Sequence, residues 1–335
     1  MNIVLLLGGT SAERDVSIAS GLQVKDALRQ KGHSVVIVDL PYGIVSEAQE
    51  SHLRSSGVKS DPPDTDGLAS SYSRANVWLE AAEVSSADIV FLALHGGSGE
   101  NGTMQAFLDL MEIPYTGSGH QGSANAMDKD ISKRLFRLAD IPTPEWIMLP
   151  AESVAIERKI GFPAVIKANK QGSSVGLTIV RQKDDLASAV EEAFRYDEEA
   201  MAERFIAGRE LTVGILDDRA LAVGEIIPRR SYFFDYASKY QVGGAKEIFP
   251  ADLSADQTAT IRKLAVRAHR ALKLQGYSRV DFKLDNSGRF WCLEANTLPG
   301  MTATSLLPQS AAAVGISFSD LCERICKLGI RRFGK

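Results

Sequence analysis

Residues 1–120 alternate short apolar runs with longer amphipathic segments, and this alternation limits the fold more than any other feature of the chain. The runs at 3–7, 34–40 and 88–94 read as strands, and the segments at 16–31 and 103–110 read as helices. Strand–helix alternation of this kind is the signature of a parallel, doubly wound sheet. With 335 residues the chain also exceeds one ordinary core, so two or three domains are expected.

The pattern is interrupted within this stretch and changes after it. Residues 42–74 are rich in Ser, Asp, Gly and Pro, including Asp61-Pro-Pro-Asp64, and read as a long surface excursion or a poorly ordered insert. A helical pattern at 123–139 stops at Ile141-Pro-Thr-Pro144, where the prolines begin an extended connection. A strand at 164–167, a Gly/Ser turn and a strand at 177–180 follow, then a helix at 184–195 and a strand at 201–206. The division expected is therefore an α/β domain at 1–120, a smaller α+β domain at 121–210, and a third region at 211–335 that ends in an amphipathic helix at 318–328.

Charge and cysteine usage narrow the function classes. A net charge of −4 gives no basis for binding nucleic acid or an anionic membrane. No apolar run approaches the roughly 20 residues that span a bilayer. Residues 1–7 lack a basic leader and run into Gly8-Gly9, so they read as a first strand and not as a signal peptide. A cytoplasmic location is expected. Three cysteines agree with a reducing compartment. Cys322 and Cys326, four apart, have no further ligand nearby, so all three read as small apolar residues.

The chemistry concentrates between Arg279 and Gly300. Arg279-Val-Asp-Phe-Lys-Leu284, the turn Asp285-Asn-Ser-Gly288, and Arg289-Phe-Trp-Cys-Leu-Glu-Ala-Asn296 form a hairpin pattern. Side chains two apart share a face, so Arg279 goes with Asp281 and Glu294 with Asn296. Two carboxylates and an amide oxygen make a ligand set for a hard cation such as Mg²⁺, with room left for phosphate and water. The guanidinium beside them suits an anionic reaction centre. Residues 297–302 then form a Gly/Pro turn that would bring backbone close to a ligand.

Other segments supply further candidates. Residues 167–176, from Lys167 through Gly172-Ser-Ser-Val-Gly176, join two strands by small residues whose amides could wrap phosphate oxygens. They do not match a P-loop, which needs Gly-Lys-Ser/Thr opening a helix. Glu203-Arg-Phe-Ile206 and Gly208-Arg-Glu210 place two acids around a strand end whose backbone groups could read an adenine while the later carboxylate takes ribose hydroxyls. The run from His95 to Gly102 and the run from Gly8 to Glu13 both follow strand ends, where open sheets bind ligands, so Glu13 and His95 are expected in one crevice. Gly117-Ser-Gly-His-Gln-Gly122 fits a dinucleotide fingerprint formally. It is rejected because the next acid, Asp140, opens an extended segment instead of closing a second strand.

Taken together these segments resemble the D-alanine:D-alanine ligases of the ATP-grasp superfamily. The resemblance rests on Gly8–Glu13, the His95 run, Pro114–Gly119 with Met127-Asp-Lys129, Gly172–Gly176, Phe234–Tyr240 and Leu293–Met301, in register over nearly the whole chain. It implies an N-terminal Rossmann-like domain followed by two ATP-grasp subdomains with ATP between them. By the same resemblance, Lys129, Lys167 and Lys239 meet the nucleotide and Ser173 belongs to the loop covering its phosphates. Glu203, Phe205, Ile206 and Glu210 hold adenosine, and Asp281, Glu294 and Asn296 carry two Mg²⁺ ions, with Mn²⁺ as a substitute. The first D-alanine lies near Glu13 and His95, and Arg279, Gly300, Ser305 and Leu306 contact the second substrate or the acyl-phosphate intermediate. Glu13, Ser173, Tyr240 and Arg279 carry the catalytic roles. A closing loop at 229–245 and a homodimer are implied too. The chain departs from the family at Glu100-Asn101-Gly102, where an Asp is usual, and in the longer 42–74 segment. Two alternatives stay open: a ligase that takes D-serine or D-lactate second, and a non-catalytic ATP-binding sensor.

Overall fold

The computed structural model describes residues 1–58, 78, 81–228 and 244–334. The first apolar run becomes β1 (Asn2–Leu7), whose residues Ile3 to Leu7 are almost wholly buried. It lies between β2 (Ser34–Asp39) and β4 (Ile89–Leu92), parallel to both, and β3 (Gly43–Ile44) adds a two-residue antiparallel edge. The sheet order is β3-β2-β1-β4. The helix Arg14–Gln30 covers this sheet together with the last helix, Phe318–Arg332. Leu321, Cys322, Ile325 and Cys326 of that last helix share one core with Leu5, Leu28 and Phe91. The end of the chain thus closes the first core, and the helix runs four residues past its expected stop at 328.

Two details differ from the expected elements. The segment at 123–139 is two helices, His120–Met127 and Lys129–Leu138, because Asp128 is extended (φ −81°, ψ 104°). Its carboxylate accepts from the Ile131 amide at 3.0 Å and caps the second helix. The 42–74 segment begins with an ordered helix, Glu47–Ser56, started by a capping box of Ser46 and Gln49. This helix buries no residue, and ion pairs Lys25–Glu50 and Asp26–Arg54 hold it to the helix Arg14–Gln30. Residues 59–74 of that segment lie outside the described residues.

The next sheet contains β5 (Trp146–Leu149), β6 (Ala164–Ala168), β7 (Thr178–Val180) and β8 (Ala200–Arg204), antiparallel in the order β5-β8-β6-β7. A third sheet contains β9 (Gly208–Leu216), β10 (Arg219–Pro228), β11 (Ala245–Ile248), β12 (Tyr277–Asp285) and β13 (Phe290–Asn296). Its order is β11-β10-β9-β12-β13, again antiparallel. Phe136 and Ile141 pack with Val213, Phe282 and Cys292 of this third sheet, not with the sheet that follows them in sequence. All three cysteines are buried and unpaired, and burial raises each thiol pKa.

Candidate active site

The β12/β13 hairpin sets the floor of the site. Arg279 pairs with Asn296 and Asp281 with Glu294 across the ladder, and a register shift follows immediately between Asp281 and Phe282. All four polar side chains therefore occupy one face, while Val280, Phe282 and Cys292 point into the core. Arg279 grips Asp281 from two nitrogens, Nε to Oδ1 at 3.0 Å and Nη2 to Oδ2 at 2.8 Å. Thr212 on β9 donates to the same carboxylate at 2.6 Å and Asn296 Nδ2 donates at 3.0 Å. Glu294 lies 3.8 Å from the Lys129 ammonium.

Above this floor, between the two antiparallel sheets, is a cleft of about 1050 Å³. Lys129, Lys167, Ser173, Glu203, Phe205, Ile206, Glu210, Asp281 and Glu294 all line it. Its cationic side is fixed from several elements. Lys129 opens a helix capped by Asp128 and donates to the Gln171 carbonyl. Lys167, next to last on β6, donates to Glu203 Oε1 at 2.9 Å. Ser173 and Ser174 take positive φ values of 50° and 60°, a backbone form that non-glycine residues adopt only under local constraint. Glu210 is paired with Lys283 at 2.8 Å on the neighbouring strand.

Glu203 has a second partner that sequence reasoning missed. Lys133, fully buried one helical turn beyond Lys129, donates to Glu203 Oε2 and, at 2.8 Å, to Thr143. Burial lowers the Lys133 pKa to about 8, helped by the Lys167 charge and opposed by Glu203. Burial also works against the Glu203 carboxylate, but the two ammoniums outweigh it and hold its pKa below the usual value. The available signal was the spacing of Lys129 and Lys133, which puts both on one helix face.

A second cleft of about 1170 Å³ adjoins the first. Glu13, His95, Ser173, Arg279, Asn296, Gly300, Ser305 and Leu306 line it, so Glu13 and His95 do meet in one crevice. His95 sits 2.8 Å from the Leu298 carbonyl through Nδ1, which must therefore be the donor. Its Nε2 is 3.1 Å from Ser20 Oγ, and that hydroxyl accepts from the Met301 amide at 3.2 Å. The imidazole anchors both ends of the 298–301 turn, and burial, opposed by the Glu13 charge, lowers its pKa. Glu100, which the sequence reading gave no site role, also lines this cleft and accepts from the amides of Gly96 and Leu298. Burial, reinforced by the Glu13 charge, lifts its pKa to about 7. A Cβ at Gly300 would stand 2.9 Å from Ser305 Oγ, so a side chain there would displace that hydroxyl.

Gly172, Ser173, Arg279 and Leu306 belong to both clefts and form the wall between them. Ser173 donates its hydroxyl to Glu13 across that wall. Among the described residues no three His, Cys, Asp or Glu side chains gather as a metal cluster. The set available is two carboxylates and an amide, which fits a hard divalent cation by donor type and leaves positions for phosphate and water. Lys239 and Tyr240, and the rest of the loop at 229–243, lie outside the described residues.

A lysine-lined cleft between two antiparallel sheets, behind a parallel N-terminal sheet, is the architecture of an ATP-grasp enzyme. A solved D-alanine–D-alanine ligase from Bacillus anthracis, complexed with ATP, superposes with a TM-score of 0.77 at 31% identity, covering 99% of this chain and 98% of that one. The ligase from Coxiella burnetii gives 0.79 at 27% identity, covering 99% and 94%. In sequence, the D-alanine–D-alanine ligase of Oleidesulfovibrio alaskensis is 44% identical over 100% of this chain and 98% of its own. Family models described as the D-ala D-ala ligase N-terminus and C-terminus match residues 2–118 and 135–327. The chain belongs to the D-alanine–D-alanine ligase family.

Proposed function

We propose that the protein joins two D-alanines into D-alanyl-D-alanine with ATP, for peptidoglycan precursor synthesis, acting in the cytoplasm as a homodimer. The observation that carries this reading is the shared wall: Arg279 and Ser173 face a cleft lined by phosphate-seeking lysines on one side and the Glu13–His95 crevice on the other. A group activated in the first cleft is presented to the second without leaving the protein. Of the three expected units, 1–120 supplies Glu13 and His95 to the amino-acid crevice, 121–210 supplies the nucleotide roof, and 211–335 supplies the metal-bearing floor and the rest of the crevice.

Charge dictates the residue roles. A substrate carboxylate attacking a nucleoside triphosphate meets strong repulsion, which Lys129, Lys167 and Lys239 lower by neutralising phosphate oxygens. Asp281, Glu294 and Asn296 would hold two Mg²⁺ ions, with Mn²⁺ as a substitute, and the cations when bound supply further neutralisation at those oxygens. Phe205 and Ile206 hold the base, Glu203 reads its edge and Glu210 takes ribose hydroxyls. Glu13 and His95 place the first D-alanine, its ammonium toward the Glu13 carboxylate. Its carboxylate attacks the γ-phosphorus, forming an acyl phosphate and releasing ADP. The amine of the second D-alanine, held by Gly300, Ser305 and Leu306, then attacks the acyl carbon. Arg279 stabilises the oxyanion that forms, phosphate leaves, and the amine loses its proton. By the family resemblance Tyr240 carries a catalytic role beside Glu13 and Ser173, and exclusion of water protects the acyl phosphate from hydrolysis.

The test is to incubate the protein with Mg-ATP, D-alanine and an equal amount of D-lactate or D-serine, weighing the products while measuring phosphate release. D-Ala-D-Ala as the main product is expected. A mixed product would move the second-substrate assignment, and no phosphate with no product would overturn the ligase reading.

A further inference from the structure

We infer that Lys133, a residue outside the nucleotide's reach, sets the protein's preference for adenine over 6-oxopurines by holding Glu203 as a hydrogen-bond acceptor. The inference rests on the reading that Glu203 faces the nucleobase. Three observations lead to it. Glu203 lines the nucleotide cleft but is 3% exposed, so its protonation state is decided by protein neighbours more than by water. Its two oxygens are divided between two ammoniums, Lys167 on Oε1 and Lys133 on Oε2. Those two lysines differ in what else they can touch. Lys167 lines the cleft and is open to the phosphates of the proposed nucleotide, whereas Lys133 is fully buried, with Thr143 as its other bond.

When Lys167 turns to a phosphate, Lys133 is therefore the cation left to balance the buried carboxylate. An ionised carboxylate can only accept hydrogen bonds. It pairs with the 6-amino group of adenine, a donor, and faces a lone pair in the 6-oxo group of hypoxanthine or guanine. Without Lys133, burial drives Glu203 toward its protonated form, which can donate to a 6-oxo group. Lys133 is thus a positioning residue that selects the base without touching it.

The experiment measures equilibrium binding of Mg-ATP and Mg-ITP by calorimetry, which needs no turnover. Lys133→Met, or Lys133→Gln should the apolar replacement not fold, is expected to shrink the ATP-to-ITP affinity ratio by about tenfold or more, as loss of a matched buried hydrogen bond does. Lys133→Arg, which keeps the charge, is expected to restore most of the ratio. A purely structural lysine would weaken both nucleotides alike. An unchanged ratio in Lys133→Met, with a ratio that shifts in Glu203→Gln, overturns the inference and spares the nucleotide reading. An unchanged ratio in both variants places the base elsewhere and overturns the two together.

Discussion

Ser173 and Glu13, 160 positions apart in the chain, meet in one hydrogen bond that joins the glycine loop of the central sheet to the first helix of the N-terminal sheet. A positive-φ backbone delivers the hydroxyl, and Gly172 beside it leaves room, since a Cβ there would stand 3.0 Å from Glu13 Oε2. Ser173→Ala is expected to lower kcat/KM for D-alanine by on the order of 10², the scale of losing one positioned donor. Its melting temperature should stay near that of the parent. Steady-state kinetics with both substrates varied separately will check this; an unchanged kcat/KM would remove Ser173 from the reaction.

Glu294→Gln is expected to abolish turnover with the fold intact. Glu294 is a partly exposed acid on the polar face of β13, so the substitution removes a proposed cation ligand and not a core contact. Phosphate release titrated with Mg²⁺ is the measurement. Activity recovered at ordinary Mg²⁺ would contradict the metal assignment.

Glu100 gives a pH dependence whose sign follows from its environment. Its folded pKa of about 7 lies above the ordinary carboxyl value of 4.5, through burial first and the Glu13 charge second. The folded state therefore favours the protonated acid. The stability linked to this group is complete below the unfolded pKa and is lost as pH rises through 7, by up to about 3 kcal/mol. Glu100→Gln cannot ionise, so its melting temperature should gain on the parent's between pH 5 and pH 8. Scanning calorimetry of both proteins across that range decides it, and a constant difference would place the charge elsewhere.

Gly208→Ala tests the strand that carries Glu210. Gly208 has φ +143°, and a Cβ there would fall 2.0 Å from the Leu284 carbonyl oxygen on β12. A loss of about 3 kcal/mol or more is expected, because backbone must move. Urea unfolding provides the number, and weaker ATP binding should accompany it because the Glu210–Lys283 pair spans the same strands. Unaltered stability would mean that the β9/β12 ladder can spread there.

Much of the architecture was readable because local patterns and tertiary packing agree. The β1 run and the β12/β13 alternation each admit few alternatives, and the hairpin put Arg279, Asp281, Glu294 and Asn296 on one face as expected. Boundaries failed where a single side chain overrode a periodic pattern: Asp128 splits an apparently continuous helix because its carboxylate competes for backbone amides. The helix at Glu47–Ser56 was hidden by its polar composition, since it buries nothing, although Ser46 and Gln49 spelled its start. Lys133 stayed invisible for another reason. A buried lysine has the same letter as a solvated one, and only the fold brings Glu203 to it from 70 residues away.

Cys292 lies on β13 two residues before Glu294, and its thiol is buried beneath the sheet with its pKa pushed far up. Its side chain is therefore shut off from alkylating reagents for as long as the hairpin stays closed. Cys322 and Cys326 are equally enclosed, but in the N-terminal core. The chain thus carries two built-in reporters of local opening, one beneath the carboxylates of the site and one beneath the last helix. Which thiol a reagent takes first identifies the part of the molecule that breathes.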